Sequence, residues 1–160
     1  MKNGSTLFLR LTVVALGLMA LGLCILILPA VWGDWSNEYP DAPYLQWPTF
    51  VILSATVIPF FTALYQTWKL LNYVDKNTAF SERSVSALRK ITYSALAFSA
   101  LYAAMLPIIH YITQKEDAPG LMIIGLIMTC APIVIAVFSA VLQKLLHSAI
   151  TMKKENDLTV

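Results

Sequence analysis

Four stretches without a formal charge, Leu11–Gly33, Ala42–Trp68, Ile91–Gln114 and Ala118–Gln143, dominate this chain of 160 residues. A helix needs about 20 predominantly apolar residues to cross a hydrocarbon core about 30 Å thick, and each stretch reaches that length. In lipid the backbone must satisfy its own hydrogen bonds within the segment, so a run of this kind reads as a helix. The composition agrees, with 58% hydrophobic and 12% charged residues, about half the charged share of an ordinary soluble domain. The fold expected is all-α, an integral membrane antiparallel four-helix bundle. It forms a single membrane domain over residues 1–160, with helices at about 8–32, 46–75, 81–113 and 118–152. The first apolar run is too long for a cleaved signal and lacks a small-x-small cleavage site, so it is read as a retained helix.

Basic residues of short loops stay on the cytoplasmic side. Lys2 and Arg10 precede the first helix, Lys69, Lys76, Arg83, Arg89 and Lys90 lie between the second and third, and Lys144, Lys153 and Lys154 follow the fourth. Lys115 alone falls on the opposite side, among Asp34, Glu38, Asp41, Glu116 and Asp117. The expectation is therefore a multi-pass protein of the plasma membrane with both termini cytoplasmic, a basic inner face suited to anionic lipid, and an acidic outer face.

Tryptophan and tyrosine favour the interface where an apolar ring meets water. Trp32, Trp35 and Trp47 mark the outer level and Trp68 the inner one, and the loop Gly33–Pro48 reads as a compact turn lying on headgroups. Small residues let membrane helices approach closely. Gly17, Ala20 and Cys24 form one such stripe; Ala95, Ser99 and Ala103 form another; Gly125, Thr129, Ile133, Ala136 and Ala140 form a third. Pro59, Pro107 and Pro132 sit inside spans, where a kink is expected.

Ionisable groups inside a bilayer normally mark proton relays, ion paths or reaction centres, yet no Asp, Glu, Lys or Arg lies in any of the four runs. His110 reads as an interfacial histidine and His147 as a polar helix-end residue. Cys24 and Cys130 stand apart from any C-x-x-C spacing and read as packing residues. No ligand set for a metal, no cofactor motif and no acid–base pair is apparent, so an enzyme is not expected. Thr62, Gln66, Ser99 and Tyr102 are the polar side chains from which an intramembrane path would be built.

The cytoplasmic segments carry more promise. Asn77 and Thr78 make a turn after the second helix, Ser81 is placed to cap the third, and Glu82 suits its positive end. Val85, Leu88 and Ile91 share a helical face that would pack on the membrane or receive a partner helix. The fourth helix continues as an amphipathic stub through Leu142, Leu145, Leu146, Ala149 and Ile150. The terminal Leu158-x-Val160 offers a free carboxyl end for strand addition.

The segments Tyr73–Val–Asp–Lys–Asn–Thr–Ala–Phe–Ser–Glu, Asp117–Ala–Pro–Gly, Val137–Phe–Ser–Ala–Val–Leu–Gln–Lys–Leu–Leu and Glu155–Asn–Asp–Leu–Thr–Val, with Thr6–Leu–Phe–Leu, Tyr39–Pro–Asp and Ala63–Leu–Tyr–Gln, resemble the bacterial domain-of-unknown-function 2975 family. The resemblance implies a small four-helix membrane protein, often encoded beside a short helix-turn-helix regulator, and supplies no catalytic residues. The function expected is a membrane-embedded accessory or regulatory protein that binds and sequesters such a cytosolic regulator without itself touching nucleic acid. The candidate partner surface comprises Lys76, Phe80, Glu82, Arg83, Arg89, Lys144, Lys153, Glu155 and Asp157. The alternative is a small permease, channel or envelope-immunity protein acting on ions, lipids or peptides through the Thr62, Gln66, Ser99 and Tyr102 path.

Overall fold

The computed structural model describes residues 2–159, with side chains from residue 4 onward. Four long helices account for most of it: α1 (Lys2–Gly33), α3 (Gln46–Asp75), α4 (Glu82–Lys115) and α5 (Pro119–Thr159), with a one-turn helix α2 (Trp35–Glu38) and a 3₁₀ turn (Pro43–Leu45) between the first two. No strand occurs among the described residues. All four long helices are long and apolar enough to cross a membrane. The fourth runs to Thr159, well past the expected end near residue 152, so the chain before Val160 is helical and not extended as strand addition requires. Val160 itself lies outside the described residues.

Helix boundaries follow local chemistry. Ser81 adopts an extended conformation and its hydroxyl accepts the Ser84 amide at 3.4 Å, which opens α4 with Glu82 in the first turn. At the end of α3, Asn77 takes a left-handed conformation (φ 57°). The Thr78 amide then returns to the Tyr73 carbonyl (2.8 Å) and the Asn77 amide to Val74 (3.1 Å), closing the helix with a Schellman motif. Asp117 does the same for α4 (φ 49°), with the Ala118 amide donating to Thr113. Asparagine and aspartate tolerate this region better than other non-glycine residues. The helices run unbroken through Pro29, Pro59, Pro107 and Pro132.

Packing is sequential. The most extensive interface joins α4 to α5, the next α3 to α4, and the third α1 to α3; α1 and α5 have no comparable contact. Consequently α1 presents apolar side chains nearly all round, including Leu11, Leu18, Ile25 and Leu26, as a helix facing lipid does. In the α4–α5 seam Ser99 meets Thr129 and Gly125 lies against Leu106 and Ile109, while Ala136, Ser139 and Ile150 are buried along α5 and Val85, Leu88 and Ala95 along α4. Val85, Leu88 and Ile91 are thus occupied within the protein, correcting the expectation that their face is free for membrane or partner. Ala103, Ile133 and Ala140, assigned to small-residue stripes, are exposed.

Candidate functional site

At the end of the molecule that carries Trp35, the loop between α1 and α3 folds into a closed cap. Trp35 and Tyr39 are buried with Ile108 of α4, backed by Val31, Leu45, Ile52, Tyr111 and Ile112. The Trp35 indole donates to the Ala42 carbonyl at 2.9 Å, and its ring lies 4.9 Å from that of Tyr39. Both aromatics face protein, which for Trp35 corrects its placement with the interfacial tryptophans. Trp32 and Trp47 are exposed and meet edge to face at 5.2 Å, as belt residues do. Gln46 ties the start of α3 to the end of α1 by donating to the Trp32 carbonyl at 2.7 Å.

Two of the carboxylates at this end, Asp41 and Glu116, have side-chain partners. Lys115 pairs with Asp41 at 2.5 Å, holding that carboxyl below the usual carboxylate range by hydrogen bonding first and by charge second. The Tyr39 hydroxyl donates to Glu116 at 3.2 Å. Burial, reinforced by the neighbouring Glu116 carboxylate, pushes the Tyr39 phenol up to about 12. A cavity of about 290 Å³ lies beneath the cap, between Asp34, Trp35, Thr49 and Met105. His110 shares a 3.1 Å contact with Gln114 on its own helix and faces outward.

The opposite end carries Arg10, Asp75, Glu82 and Lys154. Arg10 pairs with Asp75 at 2.6 Å, hydrogen-bonds Asn72, and lies over the Trp68 ring at 5.4 Å. This clasp fastens α1 to α3. The sequence reading used Arg10 only as a marker of topology and residue 75 only as the end of a helix, and so missed the clasp. The signal was present, since Trp68, Asn72 and Asp75 follow one another at four- and three-residue steps on one helical face. Lys154 reaches Glu82 at 3.9 Å, bringing the end of α5 beside the start of α4.

That contact gathers most of the candidate partner surface. Lys76, Phe80, Glu82 and Arg83 from the α3–α4 turn and Lys153, Glu155 and Asp157 from α5 are all exposed, Phe80 to 61%. Residues beyond Lys154 extend past the start of α4 by about 1.5 Å each. Arg89 and Lys144 stand apart from this group. Together with Val85, Val137, Val141 and His147 they line an open groove of about 580 Å³ between α4 and α5.

The four side chains of the expected polar path do not converge on a cavity. Thr62 donates to the Ile58 carbonyl of its own helix (2.7 Å), and Ser99 donates across the seam to Thr129 at 2.6 Å. Tyr102 stacks on Phe98 with centroids 4.9 Å apart. Gln66 is buried within α3. Cys24 on α1 and Cys130 on α5 are free thiols. No cluster of three metal-ligating side chains occurs among the described residues.

Residues 30–160 match the family model described as protein of unknown function (DUF2975). The chain is 48% identical to YoaS, an uncharacterized membrane protein of Bacillus subtilis (strain 168), over the full length of both. No solved structure matches it.

Proposed function

The chain belongs to the DUF2975 family of proteins of unknown function, and from that premise we propose a non-enzymatic, regulatory membrane protein that holds a small cytosolic helix-turn-helix regulator at the bacterial plasma membrane. In this reading the chain is one membrane domain, an antiparallel four-helix bundle with both termini in the cytoplasm. The basic residues at the Arg10 end support that orientation. The observation that carries the reading is the Lys154–Glu82 contact, which brings the stretch of α5 that bears Lys153, Glu155 and Asp157 to the start of α4, where Phe80 and Arg83 are exposed. Aromatic side chains and arginine are enriched in protein interfaces. Direct binding to nucleic acid has no support from this mixed-sign surface.

Fractionation of cells tests the proposal. The regulator encoded nearest the gene is expected in the membrane fraction when this protein is present and in the cytosol when it is deleted. Phe80→Ala combined with truncation after Ile150 is expected to release the regulator while the protein stays inserted. A regulator that remains soluble in both strains refutes the reading.

A further inference from the structure

We infer that the groove between α4 and α5 is a seat for one anionic phospholipid, whose phosphodiester headgroup is held by Arg89, Lys144 and His147. Three observations support this independently of any protein partner. The first is charge. Arg89 and Lys144 enter no ion pair or hydrogen bond among the described residues, and no acidic side chain lines the groove. Glu82, the acidic residue that opens α4, is engaged by Lys154. Two cations and an imidazole therefore converge on a space whose complement is an anion.

The second observation is depth. Arg89 lies just before the uncharged run Ile91–Gln114, and Lys144 directly follows the uncharged run Ala118–Gln143. Both therefore stand where hydrocarbon gives way to headgroups, the level at which basic pockets between membrane helices bind phospholipid. The third is shape. From Lys144 the groove descends along α5 to Val141, Ala140 and Val137, about 10 Å at 1.5 Å per residue. Its mouth is cationic and its floor apolar, the polarity profile of a lipid and not of a soluble phosphate or an acidic peptide, neither of which reaches the floor. At about 580 Å³, the groove falls within the range of about 300–1,000 Å³ typical of small-ligand sites.

The test uses the full-length protein purified in neutral detergent, titrated with phosphatidylglycerol and with phosphatidylcholine of the same acyl chains, with bound lipid quantified per chain. Wild type is expected to prefer phosphatidylglycerol. Arg89→Gln combined with Lys144→Gln is expected to weaken phosphatidylglycerol binding about 30-fold, about fivefold for each cation removed at the surface. Arg83→Gln with Lys153→Gln removes the same charge outside the groove and is expected to retain most of the binding. Equal loss in the two pairs overturns the inference in favour of a diffuse basic face. Ala140→Trp fills the floor without altering charge and is expected to displace the lipid; undiminished binding in that variant overturns the seat. Glycerol phosphate in large excess is expected to leave the lipid bound, and displacement by it assigns the groove to a soluble phosphate instead.

Discussion

Among the glycines, Gly125 is the one where an added side chain meets the closest neighbours. A Cβ built there falls 2.9 Å from Ile109 Cδ1, 3.2 Å from Ile109 Cγ2 and 3.4 Å from Leu106 Cδ2. Relaxed carbon contacts lie at about 3.5–4.0 Å, so alanine requires Ile109 to yield by about 0.6 Å. The terminal methyl can swing, but Cγ2 is fixed by the stiff β-branched χ1. Alanine also gains about 1 kcal/mol of helix propensity, which offsets a clash of similar size, and Gly125→Ala is expected to be near neutral. Leucine adds three further carbons beyond that Cβ with no space to receive them. Overpacking of this kind costs about 1–3 kcal/mol, and Gly125→Leu is expected at the upper end because it wedges the most extensive helix interface. Gly22 on α1 provides the control, since nothing lies within 4 Å of its added Cβ, and Gly22→Leu is expected to match wild type or exceed it. Equilibrium unfolding in mixed micelles, followed by far-ultraviolet circular dichroism, measures all three. If Gly125→Leu proves as stable as Gly22→Leu, close approach at Gly125 does not hold α4 to α5.

Two further outcomes probe the cap at the other interface. The Ala42 carbonyl that accepts the Trp35 indole also accepts the Leu45 amide at 3.2 Å, so Trp35→Phe leaves it partnered and should cost only about 1 kcal/mol. Trp35→Ala should cost about 3–5 kcal/mol, and equal losses in thermal unfolding of the two variants would refute this division between hydrogen bond and packing. The Tyr39 phenol, neutral when folded and raised from an ordinary 10.0 to about 12, contributes stability that is fully present below pH 10 and lost as pH rises toward 12. Phenolate absorbance should lose a late-titrating component in Tyr39→Phe, together with the alkaline loss of stability assigned to it.

Much of the architecture is legible because its causes are local. Absence of charge marks the spans, Ser81 caps α4, and Asn77 ends α3 through its own conformational tolerance. Lateral register is less legible. The stripe read along α5 included Ile133 and Ala140, whereas burial follows Gly125, Thr129, Pro132, Ala136, Ser139, Gln143, Leu146 and Ile150. Those positions alternate four- and three-residue steps, the 3.5 period of helices that supercoil about one another. Repeated four-residue steps rotate about 40° each off that line, which is why Ala103 falls outside the contact that Ala95 and Ser99 make. The cap was illegible for another reason. Interface preference alone gives Trp32 and Trp35 the same assignment, and only the return of the chain at Ala42 buries one and leaves the other exposed.

The two ends differ in how their charges are spent, and that difference locates function. At the Trp35 end the single cation Lys115 is bound to Asp41, Glu116 is met by Tyr39, and the aromatic core beneath is closed. Such a cap fixes the loop and commits its one lysine within the chain. At the Arg10 end one cation is committed to the clasp on α3 and another bridges to Glu82. Arg83, Arg89, Lys144 and Lys153 make no ion pair among the described residues. Leaving cations unpaired at the border of a low-dielectric core favours anions from outside the chain, because each is only partly hydrated there. Arg89 and Lys144 line a groove that descends into the span, while Arg83, Lys153 and Phe80 are exposed beyond it. In the two proposals, lipid and protein meet this molecule on adjoining parts of α4 and α5. A change in leaflet charge that occupies or empties the groove would act on the same two helices that present the partner surface.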